Sequence, residues 1–368
     1  MKLKNSGKEP IKTLVKRFRV DSAPSLFPEL TENPWFTGLR SRYHSNQPSG
    51  LTTLELCAGG GGQALGYEQA GIEHVGLVEL DKHACATLRL NRPKWNIIEH
   101  DLTTFSGRGF EGVDIISGGL PCPPFSVAGK QLGKNDERNL FPTMIDLVGQ
   151  LRPRAVVIEN VRGMFDAVFH DYRVHIAGQL RSLGYVTGWK LMNASSYDVP
   201  QLRPRVVFVA LRREDSEHFT WPEESKTEAT TVGKKLFDLM AANGWKGAKS
   251  WSKAADQIAP TVVGGSHKHG GPDLGPTRAR LAWAALGVDG IGIANEAPGP
   301  DFPTDGMPRL TVRMVARLQG FPDDWQFSGG KTASYRQVGN AFPPPFAQAI
   351  AAQVRGALTA SRLVRAVG

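Results

Sequence analysis

The sequence is poor in cysteine and has no long apolar run, and each absence excludes a class of protein. Cys57, Cys85 and Cys122 are the only three cysteines in 368 residues, too few and too scattered for a disulfide framework or a zinc site. No stretch approaches the roughly 18 apolar residues that a membrane span requires. The basic amino terminus also lacks the apolar core of a secretory signal. These absences predict a cytoplasmic protein with no metal site, no membrane contact and at least one free thiol.

The net charge and the length of the chain indicate its class of partner and its number of domains. Lys and Arg number 44 against 35 acidic residues, a net charge of +9, which favours a polyanionic partner without requiring one, because many basic proteins are merely soluble. The 368 residues suit two domains better than one, since single cores stop growing at roughly 250–300 residues. Residues 1–50 carry nine Lys or Arg, four acids and no clear periodicity. We expect them to form a partly ordered basic arm.

Between Leu51 and Arg213, short apolar runs alternate with segments of helical apolar spacing. Buried strands are predicted at Thr53–Cys57, Val75–Glu79, Val113–Ser117, Ala155–Glu159 and Val206–Leu211. Helices are predicted at Gln63–Gln69, Lys82–Asn91, Leu140–Leu151 and Val174–Leu183. This alternation predicts an α/β fold with a doubly wound, mostly parallel, Rossmann-like sheet that helices cover on both faces.

The composition and periodicity of the sequence change near residue 214. Residues 214–308 hold many Gly, Pro, Lys and Trp and little regular periodicity, which predicts a smaller, irregular second domain. Helical spacing returns at Val312–Leu318 and again at Phe346–Val354. We therefore divide the chain into the arm 1–50, a catalytic region 51–213, the irregular domain 214–308 and a carboxyl-terminal return, 309–368, to the first domain.

A glycine-rich turn follows the first predicted strand, in LELCAGGGGQALG (54–66). Such turns let a ligand approach the main chain closely, although a tight turn without a ligand fits the same letters. Glu79 at the tip of the second strand can accept both ribose hydroxyls. Asp101, after the third strand candidate, can accept a hydrogen bond from an adenine amino group. The three strand tips predict a nucleoside-binding crevice and leave open whether a hydride or a methyl group is transferred.

Cys122 lies between prolines in GGLPCPPFS, just after an apolar run. The prolines deny it a regular strand, and it is either a reactive thiol near a crevice or an inert one. Four apolar residues lead to Glu159 at the same predicted edge, either a partner for an aminopyrimidine ring or an ordinary capping acid. Arg203 and Arg205 precede another strand at alternate positions. They are predicted to leave the same face and bind phosphate or a base carbonyl, unless they are simply solvated.

The chain resembles the DNA (cytosine-5)-methyltransferases from about Leu51 to Val354. The resemblance depends on motifs in a fixed order: LELCAGGGGQALG, VELD, HDLT, GGLPCPPFS, IENVRG, QLRPR, RLTVRMVARLQGFPDDW and YRQVGNAFPPP. It implies the fold of adenosylmethionine-dependent methyltransferases, with residues 214–308 as a target-recognition domain. It also implies methyl transfer from S-adenosylmethionine to carbon 5 of a flipped cytosine in a short duplex DNA site, leaving S-adenosylhomocysteine.

Site residues are carried over from the family motifs. Cys122 resembles the nucleophile that adds to carbon 6, Glu159 the residue that holds the amino group and ring nitrogen 3, and Arg203 and Arg205 the supports of the flipped base and the cysteine. The cofactor is expected at Cys57, Gly59, Gly61, Glu79, Leu80, Asp101, Leu102, Pro121, Leu140 and Asn340. Cys57 and Leu80 stand where the family usually has phenylalanine and tryptophan, which predicts weaker aromatic contact with the cofactor. Pro123 stands where glutamine is common, so no side-chain amide lies beside the nucleophile, and the reaction is expected to be unchanged.

DNA contacts are expected from two segments. Residues 126–139 are predicted to close over the flipped base, and the glycine-rich stretch 261–280 to enter the major groove, although a solvated basic loop fits that stretch as well. The expected contacts are Ser126, Lys130, Gln131, His267, Lys268, Arg278 and Arg280, with His269 as a further candidate.

The resemblance also implies a bacterial, nucleoid-associated enzyme, expected to be a monomer, that protects DNA in a restriction-modification system. A restriction endonuclease that acts separately is a possible partner. A transfer RNA methyltransferase of the same family and a catalytically silent DNA-binding protein stay open as alternatives.

Overall fold

The computed structural model describes residues 49–121, 139–225, 230–264 and 271–367. Most of the basic arm lies outside these ranges. So do several predicted site residues, namely Cys122, Ser126, Lys130, Gln131, His267, Lys268 and His269. Among the described residues, no helix combines the length and the apolar character needed to cross a membrane.

Seven strands in the described part of the chain form one sheet. They are β1 (Thr52–Leu56), β2 (Glu73–Glu79), β3 (Ile97–Glu99), β4 (Ile115–Gly119), β5 (Ala155–Val161), β6 (Tyr185–Asn193) and β7 (Pro204–Arg212). Their order in the sheet is β3-β2-β1-β4-β5-β7-β6. All neighbours pair in parallel except β7, which is antiparallel to both β5 and β6. The predicted mostly parallel sheet is confirmed.

Helices connect the strands and continue to the carboxyl terminus. They are α1 (Gly62–Gln69), α2 (Lys82–Asn91), α3 (Phe141–Leu151), α4 (His170–Ser182), α5 (Arg213–Ser216), α6 (Val232–Ala241), α7 (Ala248–Ala254), α8 (Thr277–Ala284), α9 (Val312–Leu318), α10 (Lys331–Asn340) and α11 (Pro344–Val367). The short helices α6, α7 and α8 lie within residues 214–308, the region in which the sequence shows little regular periodicity.

Apolar helix faces cover both sides of the sheet. On one face, Ile116, Ile158 and Phe208 of the strands join a core with α3 and α4. On the other face, Val157 and Val209 join a core with α11 and part of α1. Burial on both faces explains the nearly continuous apolar runs of β5 and β7, and these two cores confirm the doubly wound arrangement.

A third core joins the 214–308 region to helices α9 and α10. It unites Trp251 and Trp283 of the 214–308 region with Met314 of α9 and with Tyr335 and Val338 of α10. The carboxyl-terminal return is thus divided, because α9 and α10 pack into this third core while α11 packs on the sheet. The four-part domain division stays a prediction.

Candidate active site

The candidate site lies along the edge where the parallel strands end. The chain leaves β1 at the glycine-rich turn, β2 at Glu79 and β4 at Gly119. Because β7 runs antiparallel, its amino end reaches the same edge, and Arg205 pairs with Val161 at the end of β5. Groups predicted from distant parts of the sequence therefore meet at one edge, where open α/β sheets bind ligands.

The glycine-rich turn is packed on one side and open on the other. Cys57 and Gly59 have positive φ angles of 54° and 55°, and Gly61, with φ 87°, precedes α1. A Cβ added to Gly59 would meet no atom within 4 Å, whereas one on Gly61 would lie 2.7 Å from a methyl carbon of Leu88. The turn therefore requires glycine for its backbone angles, and at Gly59 it leaves space for a ligand.

Glu79 joins this turn to the tip of the second strand. Its Oε2 accepts a hydrogen bond from the Gly59 amide at 2.7 Å, and its Oε1 accepts from the amides of Leu80 and Asp81, both at 2.8 Å. Each carboxylate oxygen has two acceptor positions, so Oε2 can still accept a ribose hydroxyl. The carboxylate thus fixes the turn and remains available to a ligand.

The neighbouring residues complete a crevice with the chemistry of a nucleoside site. Leu80 is 66% exposed beside Glu79, and Leu102 is buried under the edge. Asp101 accepts bonds from the Thr103 amide and hydroxyl, which lower the pKa of its carboxyl. Burial, with Glu79 and Asp101 nearby, raises the pKa of the Cys57 thiol and keeps it neutral. These residues fit S-adenosylmethionine, with Glu79 suited to the ribose and Asp101 to the adenine.

Two residues from the carboxyl-terminal part of the chain support the glycine turn, and the sequence reasoning missed both. Trp325 donates its indole N–H to the carbonyl of Gly60 at 3.1 Å. The buried Gln337 accepts from the Thr87 hydroxyl at 2.6 Å, and its Cβ lies 3.1 Å from the position that a Cβ on Gly60 would take. Both residues stand within quoted motifs, LQGFPDDW and YRQVGN, but only the fold shows what they contact.

The second half of the site contains a buried ion pair. Glu159 is 8% exposed, and its Oε1 lies 2.7 Å from Nε of Arg205. Burial raises the pKa of the Glu159 carboxyl, while the positive charges of Arg205 and Arg203 oppose that rise. Gly119 pairs with Glu159 across β4 and β5, and a Cβ there would approach the other carboxylate oxygen to 3.3 Å. Glycine therefore keeps the approach to this oxygen open.

Asn160 links this acid to the motif that contains the cysteine. Its buried amide donates to the carbonyl of Leu120 at 3.1 Å. Pro121, which follows Leu120, is exposed and is the last described residue before Cys122, and Leu140 is half-buried at the start of α3. This asparagine of the motif IENVRG was not predicted as a site residue, and it fixes the backbone that leads to the cysteine.

Arg203 and Arg205 have different surroundings. The Arg205 side chain reaches Glu159, whereas Arg203 is completely buried and donates to the carbonyls of Val262, Gly339 and Ala341. Burial and the charge of Arg205 lower the pKa of Arg203. The two arginines are thus not solvated charges, and the Arg203 guanidinium donates to three backbone carbonyls.

Three further predicted residues, Asn340, Arg278 and Arg280, lie in the described part of the chain. Asn340 is exposed beside Gly264, where a Cβ on Gly264 would lie 2.4 Å from its Oδ1, and Gln337 of the same motif meets the glycine turn. Arg278 is exposed, while Arg280 is half-buried and donates through Nε to the Gly275 carbonyl at 2.9 Å. In the described ranges, no group of three or more His, Cys, Asp or Glu side chains is placed to hold a metal ion.

Comparison with known proteins agrees with this geometry. The family model for C-5 cytosine-specific DNA methylases matches residues 51–356, so the chain belongs to this family of S-adenosylmethionine-dependent enzymes. It is 53% identical over 311 residues to the Type II methyltransferase M.NgoMIV of Neisseria gonorrhoeae, covering 84% of this chain and 98% of that one. It is 52% identical over 312 residues to M.NaeI of Lentzea aerocolonigenes, covering 84% and 75%.

Solved structures confirm the fold. A prophage-encoded protein of Escherichia coli, described as a DNA modification methyltransferase, superposes with a TM-score of 0.60 at 24% identity, over 84% of this chain and 99% of that one. A DNMT2 variant from Spodoptera frugiperda gives a TM-score of 0.56 at 18% identity, over 81% and 97%. The α/β architecture is thus shared with methyltransferases of distant sequence.

Proposed function

We propose that this chain methylates carbon 5 of one cytosine within a short, specific sequence of duplex DNA, with Cys122 as the nucleophile. The observation that carries the proposal is the buried Glu159–Arg205 pair. It lies beside the strand end that leads to the PCPP motif and at the same sheet edge as the cofactor crevice. Membership of the methylase family supplies the reaction class.

Each residue has a chemical task in this proposal. Carbon 5 of cytosine is a weak nucleophile, and addition of the Cys122 thiolate to carbon 6 makes it an enamine-like one. Glu159 accepts from the exocyclic amino group and, when protonated, donates to ring nitrogen 3 during that addition, while Arg205 orients the carboxyl. S-adenosylmethionine, when bound, supplies a methyl group on a sulfonium. Removal of the carbon 5 proton by a base then lets the cysteine leave.

The cofactor residues act by binding and orientation. Glu79 fixes the glycine turn and receives the ribose hydroxyls, while Asp101 receives the adenine amino group. Gly59 leaves room at the turn, and Trp325 and Gln337 hold the turn from behind. These residues would hold S-adenosylmethionine, which would supply its methyl group at the same edge of the sheet as Glu159.

The biological setting belongs to the same proposal. The relatives at 52–53% identity are named Type II methyltransferases, which supports a role in protecting DNA in a restriction-modification system. We propose that the chain acts as a monomer on DNA in the cytoplasm, associated with the nucleoid, and that any cognate endonuclease acts as a separate protein. Ser126, Lys130, Gln131, His267, Lys268, Arg278 and Arg280 remain the proposed DNA contacts.

Bisulfite sequencing of DNA from cells that express the chain tests the proposal, with Cys122→Ser as the matched control. Cytosines protected in one short motif, and unprotected in the control, would establish the reaction, the nucleophile and the target sequence together. No protection in either strain would contradict the DNA substrate. Tritiated methyl transfer to RNA would then separate an RNA methyltransferase from a silent DNA-binding protein.

A further inference from the structure

Three buried side chains form what we call the junction cluster: Gln201, Arg203 and Gln319. Each has zero exposed area. The first two stand just before β7, and Gln319 follows α9 in the smaller part of the molecule. Buried polar groups of this kind are destabilising unless their hydrogen bonds are satisfied, so their partners show what the cluster holds in place.

The partners come from residues 259–264, which we call the junction segment and which overlap the start of the proposed recognition stretch 261–280. Gln201 accepts from the Val262 amide at 2.9 Å, and Arg203 donates to the Val262 carbonyl at 2.6 Å. The Thr261 hydroxyl donates to the carbonyl of Leu202. Backbone and side-chain bonds thus fix the junction segment to the start of β7.

The same cluster holds the carboxyl end of α10. Arg203 donates to the carbonyls of Gly339 and Ala341, both at 2.9 Å, and Gln319 donates to that of Val338 at 2.7 Å. Gln201 in turn donates to Gln319 at 2.8 Å. Gly339 packs so closely on the junction segment that an added Cβ would lie 2.4 Å from the Cα of Gly264. Three separate parts of the chain therefore meet at one guanidinium group.

We propose that Arg203 is a positioning residue that sets the junction segment, residues 259–264, relative to the Glu159–Arg205 pair, rather than a group that contacts the target base. Its Nη atoms are engaged with carbonyls from two segments, whereas Arg205, two residues later, reaches Glu159 directly. Correct placement of the junction segment is thereby linked to the start of β7, next to the acid. The inference depends on the proposed function, because it assigns the two arginines to different parts of that reaction.

The test compares Arg203→Lys, which keeps the charge but cannot reach three carbonyls, with the milder Thr261→Val, which removes one hydrogen bond from the same junction. Methylation is measured on a duplex with the target sequence and on one with a single base pair changed. We expect discrimination in kcat/KM to fall about tenfold in Arg203→Lys, the factor that one lost charged hydrogen bond represents. Discrimination should also fall in Thr261→Val, and this variant should lose less kcat on the target sequence than Arg203→Lys.

Arg173→Lys is the matched control, because Arg173 is also buried and donates to the carbonyls of Met164 and Asp166 without contacting the junction segment. It should lower the melting temperature and leave discrimination unchanged. Equal loss of discrimination in the control, or a loss of kcat alone in Arg203→Lys with discrimination intact, would overturn the proposal.

Hydrogen exchange of the free protein separates this inference from the reaction itself. We expect faster exchange in both 259–264 and 338–341 of Arg203→Lys, with β5 unchanged. Unchanged exchange in the junction segment would refute the positioning role. If the wild-type chain methylates no DNA, the proposed function fails. Hydrogen exchange in 259–264 and 338–341 still shows whether Arg203 holds these two segments.

Discussion

Glu79→Gln probes the connection between the cofactor and the glycine turn. In the wild type, Oε1 accepts from two amides and Oε2 accepts from Gly59. Glutamine can keep the two bonds to Oε1 but places an NH₂ group against the Gly59 amide and removes the carboxylate that would accept a ribose hydroxyl, a charged hydrogen bond of about 1.5–3 kcal/mol in the bound state. We expect the Kd for S-adenosylmethionine to rise about 10- to 100-fold. Isothermal titration calorimetry measures this Kd directly.

Glu73→Gln is the control for that change. Glu73 lies at the opposite end of β2 and is exposed, so the substitution removes the same charge from the same strand without touching the turn. At saturating cofactor, single-turnover methyl transfer by Glu79→Gln should recover most of the wild-type rate. An unchanged Kd, an equal change in the Glu73 control, or a large rate defect at saturation would refute it.

Three further predictions concern the acid, the core and the recognition region. Burial raises the pKa of Glu159, and only its protonated form donates to ring nitrogen 3. The single-turnover rate should therefore fall as pH rises through that pKa. Glu159→Gln should lose this pH dependence, and its rate should be about 10²–10⁴-fold lower. Gly62→Ala would place a Cβ 2.3 Å from the carbonyl oxygen of Phe342 and should lower stability by about 1–3 kcal/mol in thermal unfolding, whereas Gly149→Ala, with open space, should not. Arg280→Ala should weaken binding to the target sequence more than binding to random DNA in fluorescence anisotropy, and equal losses on both would remove Arg280 from recognition.

The main elements of the catalytic region were predictable because their sequence signals are local. The run VVIEN predicts a strand buried on both faces with Glu159 at its end, and in the structure this strand, β5, continues past Glu159 to Val161. The strand β6 was missed because Gly188 and Lys190 interrupt its apolar pattern, and within the described residues it pairs only with β7, at the end of the sheet. Helices α6 to α8 were not predicted, because the many glycines and prolines of residues 214–308 favoured loops there.

Long-range contacts explain what the sequence could not supply in the site. Glu79 was predictable from its position at a strand tip. The support that Trp325 and Gln337 give to the glycine turn joins residues about 250 positions apart, and no local pattern encodes such a pairing. The same holds for Arg203, since the letters RPR suggest equivalent roles for two arginines that the fold places in different surroundings.

The contact of Trp325, Gln337 and Phe342 with the glycine turn also has a consequence for how the enzyme is made. Trp325 lies 265 positions after Gly60, and Gln337 and Phe342 follow it, so the turn emerges from the ribosome well before the surface that holds it. A nascent chain therefore carries all of the acids at the sheet edge before it has a supported cofactor site. A chain that ends before residue 325 lacks the surface that holds the turn.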